Sequence, residues 1–145
     1  MAVVGPGEAT PEEASTAEEV GRLLAERGAV VVSGGLGGVM EAACRGAREG
    51  GGTALGILPG SDRRQANAYV DVAVPTGLGE ARNALVVRAA DGLIAVGGAY
   101  GTLSEIALAL KAGKPVVGIA SWEISGVSPA DDPERAVDAV LRLLS

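Results

Sequence analysis

The chain has 145 residues, 48% of them apolar and 21% charged, with a formal net charge of −6 and no histidine. That length fits one domain with a sizeable core. The acidic balance argues against a nucleic-acid footprint, and the missing histidine removes His general bases, Ser-His-Asp triads and His-ligated zinc. No apolar run reaches the ~18 residues of a membrane helix and no signal-peptide pattern opens the chain, so a cytoplasmic location is expected.

Taken in order, short apolar runs alternate with helical patterns. Ala2–Val4 reads as a first strand and is followed by "GPG" at 5–7. Thr10-Pro11-Glu12-Glu13 then opens a helix over 11–27, with a capping Thr, Pro at the first helical position and Glu at the third. Gly28 stands where a helix end needs a left-handed residue. Val30–Ser33 reads as a strand leading into "SGGLGG" (33–38) and a helix over 38–49. The single Cys44 falls in that helix's apolar pattern and reads as a packing residue. Ala54–Leu58 is another buried strand. "VDVAV" (70–74) alternates and reads as an edge strand.

A helix is expected over 79–90. Its apolar residues cover nearly the whole circumference, which predicts full burial, with a second subunit as one source of cover. Leu93–Val96 is a strand ending at "GGAYG" (97–101), followed by a helix over 102–112, Gly113, a strand over Val116–Ala120 and a last helix over 133–144. Lys111 and Lys114, the only lysines, fall in the last turn of a helix and the turn after it. A structural role suits both better than Schiff-base chemistry. The non-alternating strands suit a parallel sheet buried on both faces. The expected class is α/β, a Rossmann-like three-layer α/β/α sandwich with a mainly parallel sheet, in a single domain over 1–145.

Ligands of such sheets bind beyond the carboxyl ends of the strands. The three glycine-rich loops lie there, each leading into a helix whose first amides can hold an anion. Gly5, Gly34, Gly35, Gly37, Gly38, Gly97, Gly98 and Gly101 are therefore candidate phosphate-binding positions, with Tyr100 beside them. The competing reading is that glycines only make tight turns. Neither common nucleotide fingerprint fits. No loop carries the Lys and Ser/Thr of a P-loop, and Gly35-Leu36-Gly37 leads to Met40 where the dinucleotide pattern needs Gly.

Thr102 and Glu105 have capping-box spacing, so Glu105 either caps the helix or serves a ligand. With Leu103, Ile106, Ala107 and Leu110 as the core face, Glu105 is expected to point away from the core, toward solvent or the cleft. Arg82 and Asn83, at the start of the apolar helix, form either a surface rim or a ligand clamp.

The stretches "SGGLGGVMEAACRGAREGGGTALGILPG" (33–60) and "GEARNALVVRAADGLIAVGGAYGTLSEIALALKAGKPVVGI" (79–119) resemble the LOG-like superfamily. That group includes cytokinin-activating nucleoside-monophosphate phosphoribohydrolases, proteins once labelled possible lysine decarboxylases and molybdenum cofactor carriers. DprA-type DNA-processing proteins are more distantly similar. The phosphoribohydrolase motif is Arg-Lys followed by P-G-G-x-G-T-x-x-E. Arg82, Tyr100, Gly101, Thr102 and Glu105 match it, whereas Asn83 replaces the Lys and Gly97-Gly98-Ala99 replaces Pro-Gly-Gly. The form "GEARN…GGAYGT" is closer to the cofactor-carrier branch. The resemblance implies Arg82 and Glu105 as a catalytic pair and Gly98, Gly101 and Thr102 as phosphate holders. It implies a small phosphorylated ligand (a nucleotide, phosphate or a molybdopterin-type cofactor), no required cofactor or metal, and a homodimer or homotetramer. The activity implied is hydrolysis of a nucleoside 5′-monophosphate N-glycosidic bond; the alternatives are a non-catalytic carrier or sensor and, behind both, DNA processing.

Overall fold

A computed structural model describes all residues from Met1 to Ser145. The strands are β1 (Ala2–Val4), β2 (Val31–Ser33), β3 (Ala54–Leu58), β4 (Val72–Pro75), β5 (Leu93–Val96), β6 (Val116–Ile119) and β7 (Val127–Pro129). The helices are α1 (Pro11–Glu26), α2 (Val39–Glu49), α3 (Asn83–Ala89), α4 (Tyr100–Lys111) and α5 (Pro133–Leu144), with 3₁₀ turns at Arg63–Gln65 and Gly79–Arg82. The seven strands form one sheet in the order β4-β3-β2-β1-β5-β6-β7. All pairs are parallel, with Ala2 opposite both Val32 and Leu93. The chain's direction of winding reverses between β1 and β5.

Every residue of β1, β2, β5 and β6 is buried, as continuous apolar runs predict. One core layer joins the sheet to α1, α2 and α5 through Val20, Leu24, Val39 and Val137. The other joins it to α3 and α4 through Val86, Val87 and Ile106. The result is the expected three-layer sandwich. α1 begins with the full capping box: Thr10 Oγ1 accepts from Glu13 N, and Glu13 Oε1 accepts from Thr10 N. Gly28 and Gly113 are left-handed, with φ of +80° and +73°.

α1 and α2 meet backbone to backbone. A β-carbon on Gly46 would lie 1.9 Å from the Glu18 carbonyl oxygen, so no larger residue fits without moving a helix. Lys114 closes the other layer. Its Nζ donates to the carbonyls of Val87, Arg88 and Ala90 at 2.7, 3.2 and 2.6 Å, satisfying the end of α3.

Several expected boundaries move. The second strand starts at Val31, not Val30. The edge strand starts two residues late because Asp71 is used as an anchor, its carboxylate accepting from Ala54 N at 2.7 Å. The helix expected over 79–90 is a 3₁₀ turn followed by the short α3, since Gly79 sits at φ +59°, outside the helical range. Within the single chain α3 is covered on one side: Val86 and Val87 are buried, and Leu85 is 36% exposed. β7 was not expected. It carries only Val127 as an apolar residue and ends in proline at the sheet's edge, as β4 does.

Candidate functional site

Three chain segments meet where the winding reverses. The end of β1 runs into Gly5, Pro6 and Gly7, β2 runs into Gly34, and β5 runs through a loop into α4. Between them, at the carboxyl ends of the strands, lies a cavity of about 210 Å³. Arg82, Asn83, Gly101, Thr102 and Glu105 line it. This is the crevice in which open parallel sheets hold their ligands.

The helix that enters the cavity is left uncapped. Its first internal hydrogen bond runs from Leu103 N to the Ala99 carbonyl at 3.0 Å, and Ala99 has no capping side chain. The amides of Tyr100, Gly101 and Thr102 therefore precede the helical ladder and carry the positive end of its dipole. Thr102 is only 2% exposed, and its hydroxyl is buried without a partner.

Arg82 closes the opposite wall. Its guanidinium lies against Gly34, where a β-carbon would come within 2.7 Å of Nη2 and push the side chain aside. Nη1 donates to Asn83 Oδ1, while Nε is buried and unpartnered. Burial pushes the Arg82 pKa down and the Glu105 carboxylate pushes it back up. A guanidinium stays protonated in either case. Glu105 is 8% exposed. Burial raises its pKa to about 7, against the opposing pull of Arg82. Near neutral pH this carboxyl can therefore donate a hydrogen bond as readily as accept one.

Of the two expected directions, Glu105 thus takes the cleft and not solvent; it shares the buried side of α4 with Thr102, Ile106 and Ala109, while Ala107, expected in the core, is exposed. The capping alternative fails because α4 begins two residues before Thr102. A residue already in the helix's third position cannot be its N-cap.

Of the residues singled out from the sequence, Arg82, Glu105, Thr102, Asn83, Gly5, Gly34 and Gly101 line the one cavity. Gly35, Gly37, Gly38, Gly97, Gly98 and Tyr100 lie outside the lining. Gly97, at φ +71°, passes over Glu13, whose Oε2 would be 2.0 Å from a β-carbon there. Gly98 rests on Trp122, and Tyr100 is 85% exposed. Sequence reading missed Met40, which lines the cavity from the first turn of α2. It also missed Trp122, whose Nε1 donates to the Ala99 carbonyl at 3.1 Å and pins the loop before α4. Met40's only signal was its place at the failed dinucleotide-glycine position. Nothing in the local sequence links Trp122 to Ala99. No group of three His, Cys, Asp or Glu side chains could hold a metal ion.

The parallel sheet flanked by helices, with a crevice at its switch point, is that of a Rossmann-like α/β protein. The SLOG cluster4 family model matches residues 1–141, and the chain belongs to that family. An uncharacterised protein of Archaeoglobus fulgidus is 45% identical over 139 residues, 95% of this chain and 91% of that protein. The molybdenum cofactor binding protein of Rippkaea orientalis is 38% identical with a TM-score of 0.93, covering 99% of this chain and 96% of that one. The molybdenum cofactor carrier protein of Chlamydomonas reinhardtii is 36% identical with a TM-score of 0.88, over 99% and 96%. DNA processing protein A of Streptococcus pneumoniae shares the fold alone, at 21% identity and a TM-score of 0.75.

Proposed function

We propose that the chain binds a small phosphorylated ligand in the Arg82–Glu105 cavity and keeps it intact, as a carrier of a molybdopterin-type cofactor would. The carrying observation is that two buried polar groups, Arg82 Nε and Thr102 Oγ1, have no partner within the protein. Each would cost about 1–3 kcal/mol if left so, more for the charged one. A phosphate seated on the first amides of α4 would satisfy both, with Arg82 pairing its oxygens. Asn83, standing where the phosphoribohydrolase motif has a second cation, supports binding over turnover. So does the likeness to molybdenum cofactor proteins over 99% of the chain.

The phosphoribohydrolase reading remains as a second one, because a carboxyl with a pKa of about 7 suits proton transfer at neutral pH. In it, Glu105 would stabilise charge on the ribose or activate water while Arg82 holds the phosphate. Calorimetric titration with AMP and with inorganic phosphate tests the site. Arg82→Ala or Thr102→Val should weaken both ligands at least tenfold, and unchanged affinity in both variants would overturn the assignment. Chromatography after incubation with AMP separates the two readings. Free adenine made by the parent chain and lost in Glu105→Gln would replace carriage with hydrolysis.

The same reading pairs two copies through the outer face of α3. Leu85 there, with Val72, Val74 and Leu78 at the neighbouring sheet edge, presents exposed apolar side chains to a partner.

A further inference from the structure

The Arg82–Glu105 cavity is smaller than the ~300 Å³ of ordinary small-molecule sites. A phosphate and its first few attached atoms fill it, so the body of a larger ligand must lie elsewhere. A second cavity of about 460 Å³ opens at the carboxyl ends of β6 and β7. The two share a wall: Trp122 lines the second, and the Ala99 carbonyl it is bonded to belongs to the lining of the first.

The chemistry of this second space differs from the first. Trp122, Ile124, Val127 and Pro129 give it an apolar, aromatic side, and no lysine or arginine lines it. Its side-chain oxygens can all accept hydrogen bonds. Ser121 Oγ is buried without a partner. Glu123 and Asp131 supply carboxylates, of which Asp131 is engaged by Arg135 at 3.5 Å and Glu123 has no ion pair. The backbone here is strained as well: Ala120, at φ +49°, is the one non-glycine residue in the left-handed region. The chain has only three aromatic residues, one Trp and two Tyr. Two of them meet at this wall, Tyr100 and Trp122, with ring centroids 6.3 Å apart and planes 26° apart. Tyr100 keeps 85% of its surface exposed, so folding does not account for its ring.

We propose that the cavity beside Trp122 is a second subsite that takes a planar nitrogen heterocycle bearing N–H donors, of the 2-amino-4-oxo type shared by guanine and pterin. The ring stacks on the Tyr100–Trp122 pair, and its N–H edge meets Ser121 Oγ and the Glu123 carboxylate. In orientation the proposal rests on the phosphate reading: the first cavity holds the anionic end and the second the ring. The absence of cations keeps a phosphate out of the second cavity.

Trp122 is the sole tryptophan, so its fluorescence reports on this wall alone. The probes are guanosine, ribose 5-phosphate and GMP, followed by tryptophan emission and by calorimetry. Guanosine and GMP should change the emission, and GMP should bind about tenfold more tightly than ribose 5-phosphate. Tyr100→Ala should cost GMP about tenfold, with Tyr100→Phe restoring affinity. Glu123→Gln should weaken guanosine. Equal affinity for GMP and ribose 5-phosphate, with guanosine silent, would overturn the ring subsite and leave the phosphate site standing. A guanosine response without ribose 5-phosphate binding would support the ring subsite and sink the phosphate reading. Silence from all three probes would overturn both.

Discussion

Glu105→Gln should remove a pH-dependent loss of stability. The carboxyl's pKa rises from an ordinary 4.5 to about 7 because folding strips its water, and Arg82 offsets only part of that cost. Across that window the folded chain keeps a proton that the unfolded chain has released. Stability must therefore fall as pH rises from about 4.5 to about 7, and level off above. At about 1.4 kcal/mol per pKa unit, the full penalty is about 3 kcal/mol, of which about 2.5 kcal/mol develops between pH 5 and 8. Urea unfolding of the parent chain and Glu105→Gln, at matched pH values, isolates this contribution because the remaining carboxylates are common to both. The difference between the two proteins should widen toward pH 8 in favour of the glutamine variant. A constant difference, or one that narrows with rising pH, would refute the picture of a desolvated carboxyl. A bound anion sharpens the same effect: parent affinity for inorganic phosphate should drop as pH passes about 7, by more than in the variant.

Lys114→Met should destabilise the chain by about 2 kcal/mol in chemical denaturation, since three carbonyls at the end of α3 lose their shared donor. Lys114→Arg, unable to present three hydrogens from one atom, should recover only part of that. Leu85→Glu should halve the mass measured by light scattering if a second copy covers α3, and leave it unchanged if that face meets only water.

The strands were legible because a parallel sheet sandwiched by helices must be built from unbroken apolar runs, and four of them are buried at every residue. β7 escaped because one valine and a proline make no such run. The start of α4 escaped for a different reason. Gly101 in the first turn looked like part of the loop, and the apparent capping box at Thr102 then fixed the helix two residues late. Glu105 faces the cleft, one of the two directions its helical position allows, while Ala107 is exposed because the buried stripe of α4 runs through Thr102, Glu105, Ile106 and Ala109. The cavity's residue list could be anticipated from loops at strand ends. The orphaned Arg82 Nε and the bond from Trp122 to Ala99 could not, since both depend on groups far apart in the chain.

Pro75 and Pro129 sit in the outermost strands, one on each flank of the sheet. A residue without an amide hydrogen cannot continue a ladder, so neither flank offers an intact template for another molecule's strand. Growth of the sheet into ribbons or fibrils is blocked at both ends. Contact between copies of the chain is thereby confined to side chains, without shared backbone ladders.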